Sequence, residues 1–534
     1  MKLRRAVQLL FLALFAVLIA LTTFPLKARL PVDLFLRLDP LLLIGASIAA
    51  RTVVGGLFAA IVMLALTALL GRFFCGWICP LGTTIELTDD LLYKRRKRRW
   101  PNAQRVGRGL KYVNLIVILV AAAFGYGLTF LLDPIALFTR AATYLLHPAA
   151  MLLANAGLDV LRPVALKADW VRLYYADLHQ PLFSSGSLAA AIIFITILMF
   201  NRLQRRFWCR SLCPLGALLG LFARLSPVRR QVGATCDHDG KCKRTCETGA
   251  IFDDEFQYDP AECILCWNCV DDCHLGVTAF RFSSPLPRLA QPLDVGRRRF
   301  LVGLAGGAFG ALLFRSNPAR AARPDKLLRP PAALPEDDFL KRCIRCGQCV
   351  KACPTNTLQP DWGEGGLEGL WAPRHQMRLA GCDQGCNVCG QVCPTGALRD
   401  VPLYQKRYAK IGTAIIDQQR CVVWAADKFC LVCDEACPYN AIYFAENEQG
   451  KRRPYIDRRH CNGCGLCESV CPVDGQGAIN VYPDEQIRLA QGDYADEARR
   501  RGFLFEHGVA EDKILPVGDD RSEEHTSELQ SPNT

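Results

Sequence analysis

Four groups of cysteines in the second half of the chain share one spacing. Cys343, Cys346, Cys349 and Cys353 are followed by Pro354, and Cys382, Cys386, Cys389 and Cys393 by Pro394. Cys421, Cys430, Cys433 and Cys437 precede Pro438, and Cys461, Cys464, Cys467 and Cys471 precede Pro472. Three thiolates on one tight loop can hold three corners of an iron–sulfur cubane, while the fourth reaches a neighbouring cluster. Sixteen cysteines for four [4Fe–4S] clusters leave none over. Zinc sites usually show pairs of cysteines rather than three plus one. Disulfides, the alternative for an exported domain, do not account for four Cys-Pro endings at ferredoxin spacing. The fourth cysteines exchange either within neighbouring groups or in a nested order, first with fourth and second with third. Proline after the fourth Cys suits the start of a short helix. The runs 396–398, 441–443 and 478–480 read as strands.

A smaller set lies upstream. Cys263, Cys266, Cys269 and Cys273 repeat the spacing, preceded by Cys236, Cys242 and Cys246. By the crossover rule Cys263, Cys266, Cys269 and Cys246 complete one [4Fe–4S] site. The second has Cys236, Cys242 and Cys273, with Asp239 at the remaining position. Asp239 is then an oxygen ligand, held less tightly than a thiolate, or the site is [3Fe–4S], or one iron is open. The competing reading is a solvated loop Asp beside a degraded cluster. Cys246 and Cys273 are followed by Glu247 and His274, not proline.

The elements that must carry these groups begin with four apolar runs, 6–24, 53–70, 112–132 and 187–200. About 20 apolar residues cross a bilayer, and the fourth run needs flanking residues to do so. Arg4 and Arg5, the basic run 94–99, and Arg202, Arg205 and Arg206 fall on one side if four helices alternate, and that side is cytoplasmic. The stretch 141–161 reads as interfacial or re-entrant. The half contains an internal repeat. Arg72-Phe73-Phe74-Cys75 leads to Cys79-Pro80-Leu81-Gly82, and Arg206-Phe207-Trp208-Cys209 leads to Cys213-Pro214-Leu215-Gly216. Asp39-Pro40 recurs as Asp133-Pro134. Each unit reads helix, Asp-Pro loop outside, helix, then a Cys-x3-Cys-Pro turn inside. Cys75, Cys79, Cys209 and Cys213 can share a metal or cycle as dithiols; packing at helix ends is the bland alternative. Asp39, Asp133 and Arg140 are candidates for a quinone site, with capping and anchoring the simpler role.

Between the halves, Arg297-Arg298-Arg299-Phe300-Leu301 resembles a twin-arginine export signal. A plain basic anchor is the alternative. The apolar run after it is short for a span, so it is retained or cleaved. The stretch 316–334 reads as a linker.

The 534 residues suggest three or four domains. Half of them are hydrophobic, which excludes a disordered chain. The net charge of +13 sits beside apolar runs, so it points to cytoplasmic loops rather than to nucleic acid. No span carries His and no Cys-x-x-Cys-His occurs, which argues against haem. The Gly-rich stretch 303–310 follows no strand, so no NAD site is expected.

The fold class expected is multidomain: an all-α four-helix transmembrane bundle plus α+β ferredoxin-like [4Fe–4S] modules. The expected boundaries are a transmembrane domain over 1–229, a cytoplasmic two-cluster module over 230–285, and a signal-like segment and linker over 286–335. A periplasmic four-cluster domain over 336–483 and a polar tail over 484–520 follow. Residues 521–534 resemble a translated adapter and are left out of fold reasoning.

With its four spans, paired Cys-x3-Cys-Pro turns and two-cluster module, the region 1–285 resembles the NapH family of membrane ferredoxins. Those of NosR and CcoG type share the turns. Residues 297–483 resemble the NapG and MauM families of exported four-cluster ferredoxins. The resemblance implies an inner-membrane conduit passing electrons from quinol to a periplasmic reductase or cytochrome. It also allows a maturation role, in methylamine dehydrogenase assembly or in copper reduction through the four turn cysteines. Asp239 departs from the pattern.

Overall fold

The computed structural model describes residues 2–27, 30–93, 107–167, 170–171, 184–283, 296–315 and 326–505. The basic run 94–99 and the residues 506–534 lie outside the described residues.

The first half is helical and duplicated. The first unit contains α1 (Lys2–Leu21), α2 (Pro40–Ala50), α3 (Leu57–Leu70) and α4 (Pro80–Tyr93). The second contains α5 (Leu110–Ala123), α6 (Pro134–Ala141), α7 (His147–Lys167), α8 (Ser187–Met199) and α9 (Pro214–Ala223). Four of these overlap the four predicted runs: α3 and α8 fall within theirs, while α1 and α5 begin earlier and end sooner. Ala123 ends α5, and a 3₁₀ turn, Thr129–Leu131, follows.

The Asp-Pro pairs are not open loops. Asp39 and Asp133 are fully buried N-caps, accepting from Leu41 and Leu42 N–H and from Ile135 and Ala136 N–H respectively. Proline at N1 lacks the N–H that would be left over there, so each Asp-Pro pair starts a helix. The stretch 141–161, expected to be interfacial or re-entrant, runs inside a longer helix. A π-type turn, Ala142–Leu146, joins α6 to α7, and the combined helix Pro134–Lys167 is long and apolar enough to span a bilayer. Leu3–Leu21 is the other helix of that kind among the described residues.

Helix α10 (Arg297–Arg315) lies along α5. A Cβ added at Gly303 would stand 3.0 Å from Ile116, and one at Gly307 would stand 2.7 Å from Val120. The Gly-rich stretch is therefore a close helix–helix contact of the small-xxx-small type.

Three ferredoxin modules repeat one plan, in which an outer ladder brackets both cysteine groups and an inner ladder joins the strands between them. In the inner module β1 (Val228–Val232) pairs antiparallel with β2 (Thr278–Phe282), and Ile251 bridges Tyr258. In the next module Ala333 bridges Leu398, and β3 (Leu358–Pro360) pairs with β4 (Pro373–His375). In the last, β5 (Thr413–Ile416) pairs with β8 (Ile479–Tyr482), and β6 (Ile442–Glu446) with β7 (Arg452–Ile456).

Two of the three predicted strands are present, and 396–398 makes only the bridge at Leu398. The Cys-Pro signal also reads differently. The short helices Gln348–Ala352 and Leu466–Val470 end at the fourth cysteine, and proline follows because it cannot continue them. The boundary expected at 483 is too early. Tyr494 and Ala498 are fully buried, with Phe503 and Phe505 packed against Tyr439. The linker likewise gives way to domain core by Leu328.

The modules sit at opposite ends of the helical half. At one end Ser226, just before β1, donates to Leu69 O at the end of α3, and Arg108, before α5, donates to Thr248 O at 3.3 Å. At the other end the outer domain reaches the opposite termini. Lys351 donates to Thr22 O after α1, Arg342 to Thr52 before α3, and Arg345 to Gly127 O after α5.

Candidate metal centres

None of the 27 cysteines is paired in a disulfide. In the outer domain they gather in four sets. Cys421, Cys430, Cys433 and Cys471 line one pocket. Cys437, Cys461, Cys464 and Cys467 line another, walled by Ala414, Ile442 and Val481. Cys343, Cys346 and Cys349 lie within electrostatic reach of Cys393. Cys382, Cys386 and Cys389 stand in the same relation to Cys353. The fourth cysteine thus crosses between neighbouring groups, first with second and third with fourth. The nested order is not adopted.

The thiols fit a cubane chemically. Backbone N–H groups of Leu398, Ala441 and Ala478 donate to Cys393, Cys437 and Cys471 at 3.3–3.4 Å. Each donor lies at or next to the strand or bridge that follows its cysteine, so the ladder itself aims the N–H at sulfur. Such bonds tune the potential of a bound cluster. Burial pushes Cys464 and Cys433 up to about 12 and Cys386 to about 11. A bound metal must displace those protons.

The inner module brings Cys246 to Cys263, Cys266 and Cys269. Ala250 N–H donates to Cys246 at 3.2 Å, the same device again. The second inner set is less regular. Cys242 lies near Cys236, whose Sγ is 3.8 Å from the buried carboxylate of Glu255. Asp239 accepts from Lys241 N–H at 2.9 Å and pairs with Lys241 Nζ at 3.0 Å. His274, next to Cys273, stands 3.4 Å from Asp239. Glu255 carries no sequence signal, because its proximity comes from the fold of the loop around Ile251–Tyr258.

Two buried charge triads lie here, one within the helical half and one joining it to the inner module. Arg206 of the second repeat pairs with Glu86 of α4 at 2.6 Å, and Arg4 also meets Glu86. The counterpart Arg72 of the first repeat pairs with Glu262 at 3.5 Å, and Lys111 meets Glu262 at 2.6 Å. Here the carboxylate comes from the ferredoxin loop. The position in α9 equivalent to Glu86 is Gly220, where a Cβ would stand 2.8 Å from Ala261 O. Glycine there admits the loop, and Glu262 takes the place of the missing side chain. Burial pushes the Glu262 carboxyl up, but Lys111 and Arg72 more than offset this and hold it below its ordinary value. Trp77 Nε1 donates to Leu265 O at 3.0 Å, and a Cβ at Gly76 would strike Ile264 O.

The outer domain docks through the loop of its first cysteine group. Cys346 joins the apolar core that contains Phe15, Leu41 and Phe138. The Arg345 guanidinium stacks 4.0 Å from the Phe130 ring centroid. Arg140 lies 5.3 Å from Trp371, which packs on Tyr144.

Known proteins resemble parts of this chain in sequence. The methylamine utilization ferredoxin-type protein MauM of Methylorubrum extorquens is 39% identical over 215 residues, spanning 37% of this chain and 93% of that protein. The ferredoxin-type protein NapG of Escherichia coli is 37% identical over 230 residues, spanning 40% of this chain and 95% of NapG. The chain belongs to the NapG/MauM family of ferredoxin-type proteins. As a NapG/MauM-type ferredoxin it matches the family model described as a 4Fe-4S dicluster domain over residues 342–397 and 428–474. The first stretch contains the first two cysteine groups, and the second contains the last two apart from Cys421. A second model, described as a 4Fe-4S binding domain, matches residues 52–100, 184–233 and 388–408. The putative electron transport protein YccM of Escherichia coli is 30% identical over 226 residues, and the chain spans 53% of it. No solved structure matches this NapG/MauM-type chain.

Proposed function

We propose that this multidomain iron–sulfur ferredoxin is a membrane-anchored conduit. It takes electrons from quinol and hands them to a periplasmic acceptor, such as a nitrate reductase system. The observation that carries this is the placement of ferredoxin modules at opposite ends of an apolar, duplicated helical half. In this reading α1, α3, α5 and α8 cross the bacterial inner membrane, and residues 230–285 face the cytoplasm. Helix α10 crosses beside α5 as a retained anchor after the twin arginines, and its packing on α5 supports retention. The 1–285 region would then be a NapH-type unit fused to a NapG/MauM-type domain.

The sixteen outer cysteines hold four [4Fe–4S] clusters, and Cys246, Cys263, Cys266 and Cys269 hold one more. When bound, each cluster supplies a site for one electron. Quinol gives up two electrons and two protons on becoming quinone. We place its headgroup in the cleft formed by Tyr126, Leu128, Phe130, Lys341 and Arg345, two residues from Cys343. Lys341→Ala and Tyr126→Ala should raise the quinol concentration needed for half-reduction. An unchanged requirement moves the site elsewhere.

EPR on the anaerobically purified full chain tests the main claim. Reduced [4Fe–4S] signals should grow on adding quinol. Clusters that dithionite reduces but quinol leaves oxidised would refute it. That outcome would favour a maturation factor fed by another donor, a reading that the likeness to MauM supports.

A further inference from the structure

The two Cys-x3-Cys-Pro turns lie in stretches that match a 4Fe-4S binding model, yet each stretch holds only two cysteines. A cubane takes four. We propose that Cys75, Cys79, Cys209 and Cys213 hold a single iron–sulfur cluster, shared between the two repeats and set between the inner module and the apolar core.

Three observations converge on this. Cys79 and Cys213 are buried at the starts of α4 and α9, accepting N–H bonds from Gly82 at 3.4 Å and Gly216 at 3.2 Å. Capping explains these two thiols but leaves Cys75 and Cys209 without a role. Second, the two buried arginines of the motif cross between repeats. Arg72 donates to Cys75 Sγ at 3.9 Å, and its far nitrogen would stand 2.7 Å from a Cβ at Gly216. That same Cβ position is 3.4 Å from Cys213 Sγ. Arg206 crosses the other way, donating to Cys75 O at 3.3 Å and lying 3.4 Å from the Cβ position of Gly82. The two turns therefore face each other, and each of the four thiols lies in the field of others of the set. Third, the charges suit an anionic centre. Glu86 is shared by Arg206 and Arg4, and Glu262 by Arg72 and Lys111. Each motif arginine keeps positive charge for sulfur, in a buried setting where charge-assisted hydrogen bonds are strong.

The site touches the inner ferredoxin loop through Gly76 and Trp77. This inference rests on the electron-transfer reading, in which the site is the next stepping place towards the core.

The test uses full-length protein purified anaerobically. Iron, acid-labile sulfide, copper and zinc per chain are measured for wild type and for Cys75→Ser/Cys209→Ser, with Mössbauer spectra of both. The double variant should lose one cluster's worth of iron and sulfide while the other signals persist. Equal iron and sulfide in both proteins would overturn the proposal, as would loss of copper or zinc instead. If the double variant does not accumulate, Arg72→Lys decides: one reduction midpoint should move and the rest stay, and no movement overturns it. The quinol reading is scored separately. Wild type that carries the extra iron but is not reduced by quinol fails that reading alone.

Discussion

At the scale of single residues, buried ion pairs make the sharpest predictions. Glu336 opens helix α11 (Glu336–Arg342) and meets Arg329 and Arg488, each at 2.7 Å. Burial pushes its carboxyl up, but the two guanidinia outweigh that and hold it at about 2. A depressed carboxyl contributes stability above its ordinary pKa and loses it as pH falls towards the folded value. The contribution is up to about 3 kcal/mol. The stability gap between wild type and Glu336→Gln should be constant from about pH 7 to pH 5 and narrow below. A gap that stays the same at lower pH would assign the effect to packing. Glu262→Gln should cost about 3–5 kcal/mol, because Arg72 and Lys111 are left buried without their carboxylate. Thermal unfolding of the full chain measures this, and a change under 1 kcal/mol would show that water reaches the triad. The cysteines were legible from spacing alone. Arg72 and Arg206 stood in the repeated motif, but their partners did not, since Glu262 lies far along the chain and arrives only through tertiary packing.

At the scale of elements, the interface between α10 and α5 depends on absent side chains. Gly307→Leu would drive its side chain into Val120 and Val117. It should lower the melting temperature and ease proteolytic release of the outer domain, while Gly310→Leu, with nothing near its Cβ position, should do neither. Equal effects from the two would remove α10 from the packed structure. The apolar runs were legible as helices because composition alone marks them. The Asp-Pro pairs were read as loops, with capping the simpler role for Asp39 and Asp133, and capping is what the structure shows. Their complete burial comes from tertiary packing, which local sequence does not report.

At the scale of the whole molecule, the crossover of fourth cysteines was not readable, because spacing permits both orders. The ladders decide it. Strands β3 and β4 pair between the first two groups, and β6 and β7 between the last two, so each neighbouring couple folds as one module. The helical half then separates one module from the other two, and the docking of Cys346 on the apolar core ties the outer domain to it. Delivery of quinol electrons to the outer-domain clusters is the central claim. The direct measurement places the full chain in liposomes with and without quinol and follows the outer-domain clusters by EPR. Reduction only where quinol is present is the predicted result. Outer clusters that dithionite reduces but quinol leaves oxidised would contradict the account.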